Sequence, residues 1–379
     1  MRLVAGLLAA GLVACATKPA TTEPARATAD VAKETLAHVE RIRAIKPGAD
    51  SAAAVRYNRQ LEDAWKFFLA QPKAALPVLR RELGVEIMKP ARNDFLLLDL
   101  GYFLYEKGEP GDKGLARSAL FTIDPGAEIL RWNWQEFFQF VHAVADDGDP
   151  RVLPLIDRAF LRGDLAFSAG TPPMKLDAAV ACTFLYGAYG SAAEAHLKRQ
   201  LGDRAVARRI MEVLIWIGSP ASNAEVRAAM TATRDNEAFV RGATFLMKAG
   251  GPDGRRLILA INPRTLDAGS QDYYGKIKKS VEATNFTELR KPIARMPGDA
   301  WVAGDELRKR LAAMNKGDGI DRATSPAAFL NSELPRDLLI EELQRVRTRL
   351  FRRVSAESLA AAQRVNDTIN ALRYRQDAK

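Results

Sequence analysis

The chain has 379 residues, of which 47% are apolar and 27% charged; this excludes disorder throughout and supplies enough apolar surface for a sizeable core. The formal net charge is +10, but 56 basic and 46 acidic residues interleave along most of the chain. Such mixing describes a mildly basic protein with no nucleic-acid partner, since a nucleic-acid binder would gather its cations on one face.

The N-terminus opens with the short basic start Met1-Arg2 and an apolar run from Leu3 to Val13. That run is too short to cross a bilayer as a permanent helix, which suits a removable signal. Leu12-Val13-Ala14-Cys15 resembles the lipobox of bacterial lipoproteins. The resemblance implies that residues 1–14 are a signal peptide cut before Cys15, that Cys15 is lipidated, and that the membrane is a partner through this anchor. Burial of acyl chains at about 0.8 kcal/mol per CH2 would make the attachment stable. Ala16, where an aspartate would resemble an inner-membrane retention signal, points to the outer membrane. Residues 15–29, rich in Ala, Thr and Pro, read as a lipidated flexible linker.

From Asp30 the pattern is helical, and residues 30–260 form the body. Val31, Thr35, Val39 and Ile42 share one helical face, with Pro47-Gly48 as its stop. A second helix is expected over Ala52 to Ala70, and a short third one beginning at Pro77. No stretch alternates with the two-residue period of a half-buried strand. Gly-x-Pro recurs at Gly108-Glu109-Pro110, Gly148-Asp149-Pro150, Gly170-Thr171-Pro172, Gly218-Ser219-Pro220 and Gly250-Gly251-Pro252. Each is expected to turn one helix into the next, with glycine in the left-handed conformation and proline in the first turn of the following helix.

The stretch from Asp203 to Ala260 comes close to repeating itself. At an offset of 32 residues Arg209 falls on Arg241, Leu214 on Leu246, Gly218 on Gly250, Pro220 on Pro252 and Val226 on Ile258. Leu97, Leu100, Gly101, Gly108 and Pro125 have spacings similar to those of a tetratricopeptide repeat. Asp149-Pro150-Arg151-Val152-Leu153-Pro154 and the tandem around Gly218 resemble HEAT repeats. These resemblances imply an all-α fold, an irregular α-solenoid of HEAT/TPR-like helical hairpins.

Leu130 to Ala145 holds Trp132, Trp134, Phe137, Phe138 and Phe140. Leu130, Trp134, Phe137, Phe138, Val141 and Val144 make one broad apolar face, while Trp132 and Phe140 fall off it. Trp132, Trp134 and Phe140 are therefore candidates for lining a ligand groove, and a central helix packed on two sides explains them equally well. The acidic corner Asp146-Asp147-Gly148-Asp149 follows, either as paired carboxylates for acid-base chemistry or calcium, or as a solvated helix end with Asp149 as N-cap.

Residues 261–379 form a C-terminal helical region. Tyr273, Tyr274, Ile277 and Val281 mark one helix, and Trp301, Leu307 and Leu311 another. Asn315 to Ser325 fails as a calcium loop, because Met314 and Lys316 fall at ligand positions and Ser325 stands where a bidentate glutamate is needed. The end reads as a helical hairpin: Leu339, Leu343, Val346, Leu350 and Val354 form one seam, Ser355 caps the next helix, and Leu359, Ala362, Val365, Ile369 and Leu372 continue it. Arg345, Arg347, Arg349, Arg352 and Arg353 crowd the first helix near its end. They suit a helix C-terminus, with Glu341 pairing Arg345. Alternatively, Arg345, Arg349, Arg352 and Arg353 make an anion contact for lipid or an acidic partner.

No zincin, serine-hydrolase, P-loop or dinucleotide motif occurs, so no catalytic residue, metal ligand or cofactor is assigned. Glu357-Ser358-Leu359 lacks the rest of the lytic transglycosylase motif. Cys182 lies in an apolar run and, like His38, His142 and His196, reads as an ordinary helical residue. The expectation is an envelope lipoprotein acting as a protein-binding scaffold or assembly factor. The alternative is an all-helical enzyme or ligand-binding protein acting on cell-wall or carbohydrate material.

Overall fold

The computed structural model describes residues 28–45, 51–126, 133–163, 178–233, 235–283, 309, 312 and 335–374. Among them every regular element is helical, with sixteen α-helices and no strand. None of the described helices is long and apolar enough to cross a membrane. The chain divides into two compact units, Met1–Val144 and Ala145–Lys379. The signal peptide, Cys15, Pro47-Gly48, Trp132, Gly170-Thr171-Pro172, the helix of Trp301 and the loop from Asn315 to Ser325 lie outside the described residues.

In the first unit the helices are α1 (Thr28–Arg43), α2 (Ser51–Ala70), α3 (Pro72–Met88), α4 (Asp94–Lys107), α5 (Asp112–Thr122) and most of α6 (Trp134–Asp146). Helix α1 starts two residues inside the expected linker and buries the face built from Val31, Thr35, Val39 and Ile42. The Thr35 hydroxyl is satisfied by donating to the Val31 carbonyl at 2.8 Å. Helix α3 corrects the expected start at Pro77. It begins at Pro72, where a missing N–H leaves no bond unmade, and Pro77 is accommodated inside it. Helix α4 is capped by Asn93, whose side chain accepts from the Leu96 N–H at 3.0 Å. Arg80 of α3 grips Asp112 at the head of α5 (Nε–Oδ1 2.5 Å, Nη2–Oδ2 2.9 Å), and Asp112 also accepts from the Glu109 N–H.

The second unit contains α7 (Val152–Ile156), which continues as a π-helical turn over Asp157–Leu161, then α8 (Ala178–Gly187), α9 (Ser191–Lys198), α10 (Arg204–Ile217), α11 (Asn223–Ala232), α12 (Asn236–Lys248), α13 (Gly251–Leu259), α14 (Ala268–Ala283), α15 (Arg336–Phe351) and α16 (Ala356–Leu372). Helix α10 packs between α8 and α12, and α12 also contacts α14. Helix α9 packs on α10, α11 on α10 and α12, and α13 on α12.

The internal repeat is visible in this packing. Asp203 and Asp235, 32 residues apart, cap α10 and α12 in the same way, each accepting from the N–H two residues on at 3.0 and 2.9 Å. Leu214, Leu246, Val226 and Ile258 are all fully buried. Each fully buried side chain of this size contributes about 1.5–3 kcal/mol, so these matched positions help to join the helices.

Of the four described Gly-x-Pro corners, Gly148 takes the left-handed conformation as expected (φ 77°), and the other three glycines work differently. Gly108, Gly218 and Gly250 have φ of −76°, −74° and −71°, outside the left-handed region. Glycine is needed at Gly218 and Gly250 because a Cβ there would lie 2.6 Å from the carbonyl oxygen of Leu214 or Leu246. Only Gly148, Gly190 and Gly251 among the described glycines take positive φ.

Helices α15 and α16 form the expected hairpin, joined by a capping box between Ser355 and Ser358. The hairpin docks on α8 and α10. Phe351 is fully buried edge-on to Phe184 at 6.0 Å and to Trp216 at 6.3 Å.

Candidate functional site

Two of the three aromatic candidates are described, and neither is displayed. Trp134 is 7% exposed and Phe140 is fully buried between Tyr102 and Tyr105, with ring centroids 5.7 and 5.6 Å away. The burial of Trp134 and Phe140 fits the second of the two expectations, core positions on a helix buried on more than one face, and leaves neither side chain displayed to a groove.

The acidic corner is occupied by cations. Asp146 forms an ion pair with Arg352 (2.8 Å), and Asp149 is held by Arg151 (2.6 Å) while accepting from the Arg151 N–H. Carboxylates bound in this way are poor general acids or bases. The arginine cluster is divided by the same contacts. Arg345 pairs with Glu341 and Glu342 at 2.5 and 2.6 Å, and Arg352 with Asp146, whereas Arg349 and Arg353 are exposed. The anion contact is therefore reduced at two of its four positions, because acids from this unit already neutralise them.

Arg347, in the same run, does something else. It is 3% exposed and donates to Asn366 Oδ1 at 2.6 Å and to the Ile217 carbonyl at 2.9 Å. Asn366 donates in turn to the Ile215 carbonyl, and Arg373 to the carbonyls of Gly218 and Ala249. The last turns of α10 and α12 leave carbonyl oxygens without helical partners, and the hairpin supplies cationic donors to them. Burial pushes the Arg347 guanidinium down to about 9, still charged at neutral pH. Glu194 of α9 completes this region, its Oε1 accepting from the Ser219 N–H (2.7 Å), the Ser219 hydroxyl (2.9 Å) and the Ser222 hydroxyl (2.7 Å).

A second polar network lies at the π-helical turn. Asp157 accepts from the Tyr186 hydroxyl at 2.6 Å and from Gln200 at 2.9 Å, and is 2.8 Å from His196 Nε2. Burial alone would raise its pKa, but bonds from His196, Tyr186 and Gln200 outweigh this and hold it below the usual carboxylate range. The network ties the turn to α8 and α9. Cys182, one turn before Tyr186 on α8, is fully buried.

The first unit holds the arrangement with the most chemical potential. Asp99 of α4 is fully buried and faces the half-buried Glu136 of α6 as a carboxyl pair. Trp65 of α2 donates from Nε1 to Asp99 Oδ1 at 2.9 Å, while Asp99 Oδ2 meets no donor. Asn133 donates to Glu136 Oε2 at 3.2 Å and to the Tyr57 hydroxyl at 2.7 Å. Half-buried Tyr102 lies against Trp65, with ring centroids 5.8 Å apart and planes at 52°. Burial raises Asp99 to about 7, and burial together with the Asp99 charge raises Glu136 well above its ordinary value. The pair therefore holds one proton between two carboxyls near neutral pH.

Sequence reasoning passed over this pair. The available signal was Asp99 as the one acid inside the apolar run Phe95 to Tyr105, since a carboxyl in a buried helix requires a partner or a proton. Among the described residues no group of three or more His, Cys, Asp or Glu side chains converges as metal ligands would. No protein-family model matches the chain, and comparison with curated proteins and with solved structures gives no match.

Proposed function

We propose that the chain is an envelope lipoprotein, held in the outer membrane through Cys15, whose helical pairs form an irregular HEAT/TPR-like solenoid that serves as a protein-binding scaffold. The observation that carries this reading is the equivalence of the α10/α11 and α12/α13 pairs. They share cap, core and corner positions at one 32-residue offset. Units of this kind cannot bury their apolar faces alone and do so by stacking, which leaves an extended side-chain surface for a partner. An enzymatic reading through Asp146 and Asp149 is disfavoured by their ion pairs with Arg352 and Arg151.

Crosslinking the mature protein in its own envelope, followed by identification of what is attached, tests this function. A reproducible protein partner, with membrane attachment abolished by Cys15→Ser, is expected. Recovery of glycan fragments alone, or a Cys15→Ser variant that sediments with lipid as before, would overturn it.

A further inference from the structure

We propose that the cavity between the Gly-x-Pro corners of the two repeats and the C-terminal hairpin binds a small aliphatic carboxylate, with Arg373 and Gln344 as its polar contacts. The inference lies within the second unit and does not depend on the scaffold reading. The cavity is open and has a volume of about 340 Å³. That is enough for a small ligand, since such sites run from roughly 300 to 1,000 Å³. Pro220 and Pro252, the matched prolines of the two corners, line it together with Ile340 and Gln344 of α15 and Arg373 just after α16.

Two polar side chains of the lining have unused capacity. Arg373 donates from Nη1 to the Ala249 carbonyl and to Asn370 Oδ1 (2.9 Å), and from Nη2 to the Gly218 carbonyl. Nε–H and the second Nη2–H are left without an acceptor among the described residues, and no carboxylate there pairs with this guanidinium. Burial lowers its pKa only to about 10, so it is charged at neutral pH. Glu194, the acid whose field reaches it, spends Oε1 on Ser219 and Ser222. Gln344 is half-buried, and its side-chain amide has no hydrogen-bond partner among the described residues.

The chemistry of the lining selects the ligand. Nε and Nη2 are neighbouring nitrogens of a planar fork, which a carboxylate can engage with its two oxygens, and the Gln344 amide adds a further N–H. Pro220, Pro252 and Ile340 are apolar and suit a short hydrocarbon chain. The other charges of the lining are already matched: Arg336 pairs with Asp337 at 3.3 Å, and Asp253 pairs with Arg256. Asp253 and Asp337 are exposed, and their charges oppose a second negative charge on the ligand, which disfavours phosphate. An organic ammonium would instead meet the charge of Arg373. The three bonds that hold Arg373 to Ala249, Asn370 and Gly218 fix its guanidinium in advance, so little ordering remains to be done on binding.

The test uses the purified full-length protein at neutral pH with sodium hexanoate as probe, and acetate, 1-hexanol and inorganic phosphate as comparisons. The Ile340 δ1-methyl resonance, assigned with Ile340→Val, should shift saturably with hexanoate. Acetate should bind about tenfold more weakly, for want of a chain to meet the apolar lining. Arg373→Lys keeps the charge but not the fork and should weaken hexanoate binding by about tenfold or more. Gln344→Leu keeps the bulk but removes the amide and should weaken it by about fivefold. No saturable shift, an equal response to 1-hexanol, phosphate binding as tightly as hexanoate, or a folded variant of either residue that binds as the wild type would each overturn the proposal. If Arg373→Lys fails to fold, the Gln344→Leu comparison decides.

Discussion

Arg373 is bound to Gly218: its Nη2 donates to the Gly218 carbonyl at 3.1 Å while Nη1 donates to the Ala249 carbonyl at 2.8 Å. One side chain of the C-terminal hairpin thus spans the ends of two successive repeat helices. Arg347 serves the Ile217 carbonyl beside it, so the hairpin caps a row of helix C-termini.

Truncating either cation should expose that dependence. Arg347→Met or Arg373→Met leaves buried carbonyl oxygens without donors and should cost about 2–4 kcal/mol in urea unfolding. Exposed Arg349→Met, on the same hairpin, should stay within about 0.5 kcal/mol of wild type. Equal, small effects at all three positions would show that the hairpin is held by its apolar seam alone.

The same docking surface contains a tight contact between Gly187 and Phe351. A Cβ at Gly187 would lie 2.5 Å from Phe351 Cδ2, far inside ordinary carbon contact. Gly187→Ala should therefore destabilise by about 1–3 kcal/mol. Phe351→Ala removes Cγ and Cδ2, the two atoms nearest to that position, and should cost less in the Gly187→Ala background than in wild type. A double-mutant cycle measures that coupling, and strict additivity would contradict the contact.

What could be read from sequence follows from how far each interaction reaches. The faces of α1 and of the hairpin helices were legible because Val31, Thr35, Val39 and Ile42, or Leu339, Leu343, Val346 and Leu350, obey one helical period. The Glu341–Arg345 pair was legible for the same reason. Arg347 was not, since its run of arginines looks solvated and its acceptor Ile217 lies 130 residues away. Pro77 read as a helix start because proline is common there, but Pro72 occupies that role. Asp99 and Glu136 meet only because α4 and α6 pack, and periodicity on either helix does not reveal that the other brings an acid.

Asp157 gives a pH dependence of known sign. Its folded pKa lies below the ordinary value because His196, Tyr186 and Gln200 together outweigh its burial. A depressed acid contributes stability that is fully present above its unfolded pKa of about 4 and is lost as pH falls through the folded value. Asp157→Asn should therefore be most costly near neutral pH, with the difference from wild type shrinking below about pH 4. Urea midpoints of both proteins across that range provide the check. A constant difference would mean that hydrogen-bond geometry, not charge, carries the effect.

The Asp99–Glu136 pair should act in the opposite sense. Burial raises Asp99 to about 7, so the folded chain keeps a proton that the unfolded chain releases near pH 4. Above about pH 4 the folded state binds more protons than the unfolded one, so stability must fall as pH rises, and less steeply above about 7, where Glu136 alone keeps its proton. Asp99→Asn preserves an acceptor for the Trp65 indole and removes one charge from the pair. It should flatten that slope and raise stability at neutral pH by on the order of 1–3 kcal/mol, after allowance for relaxation around the site. A variant more stable than the protein it came from is the outcome expected where a fold keeps a costly buried acid. Unfolding midpoints that run parallel for the two proteins from about pH 4 to pH 8 would show that the pair holds no extra proton.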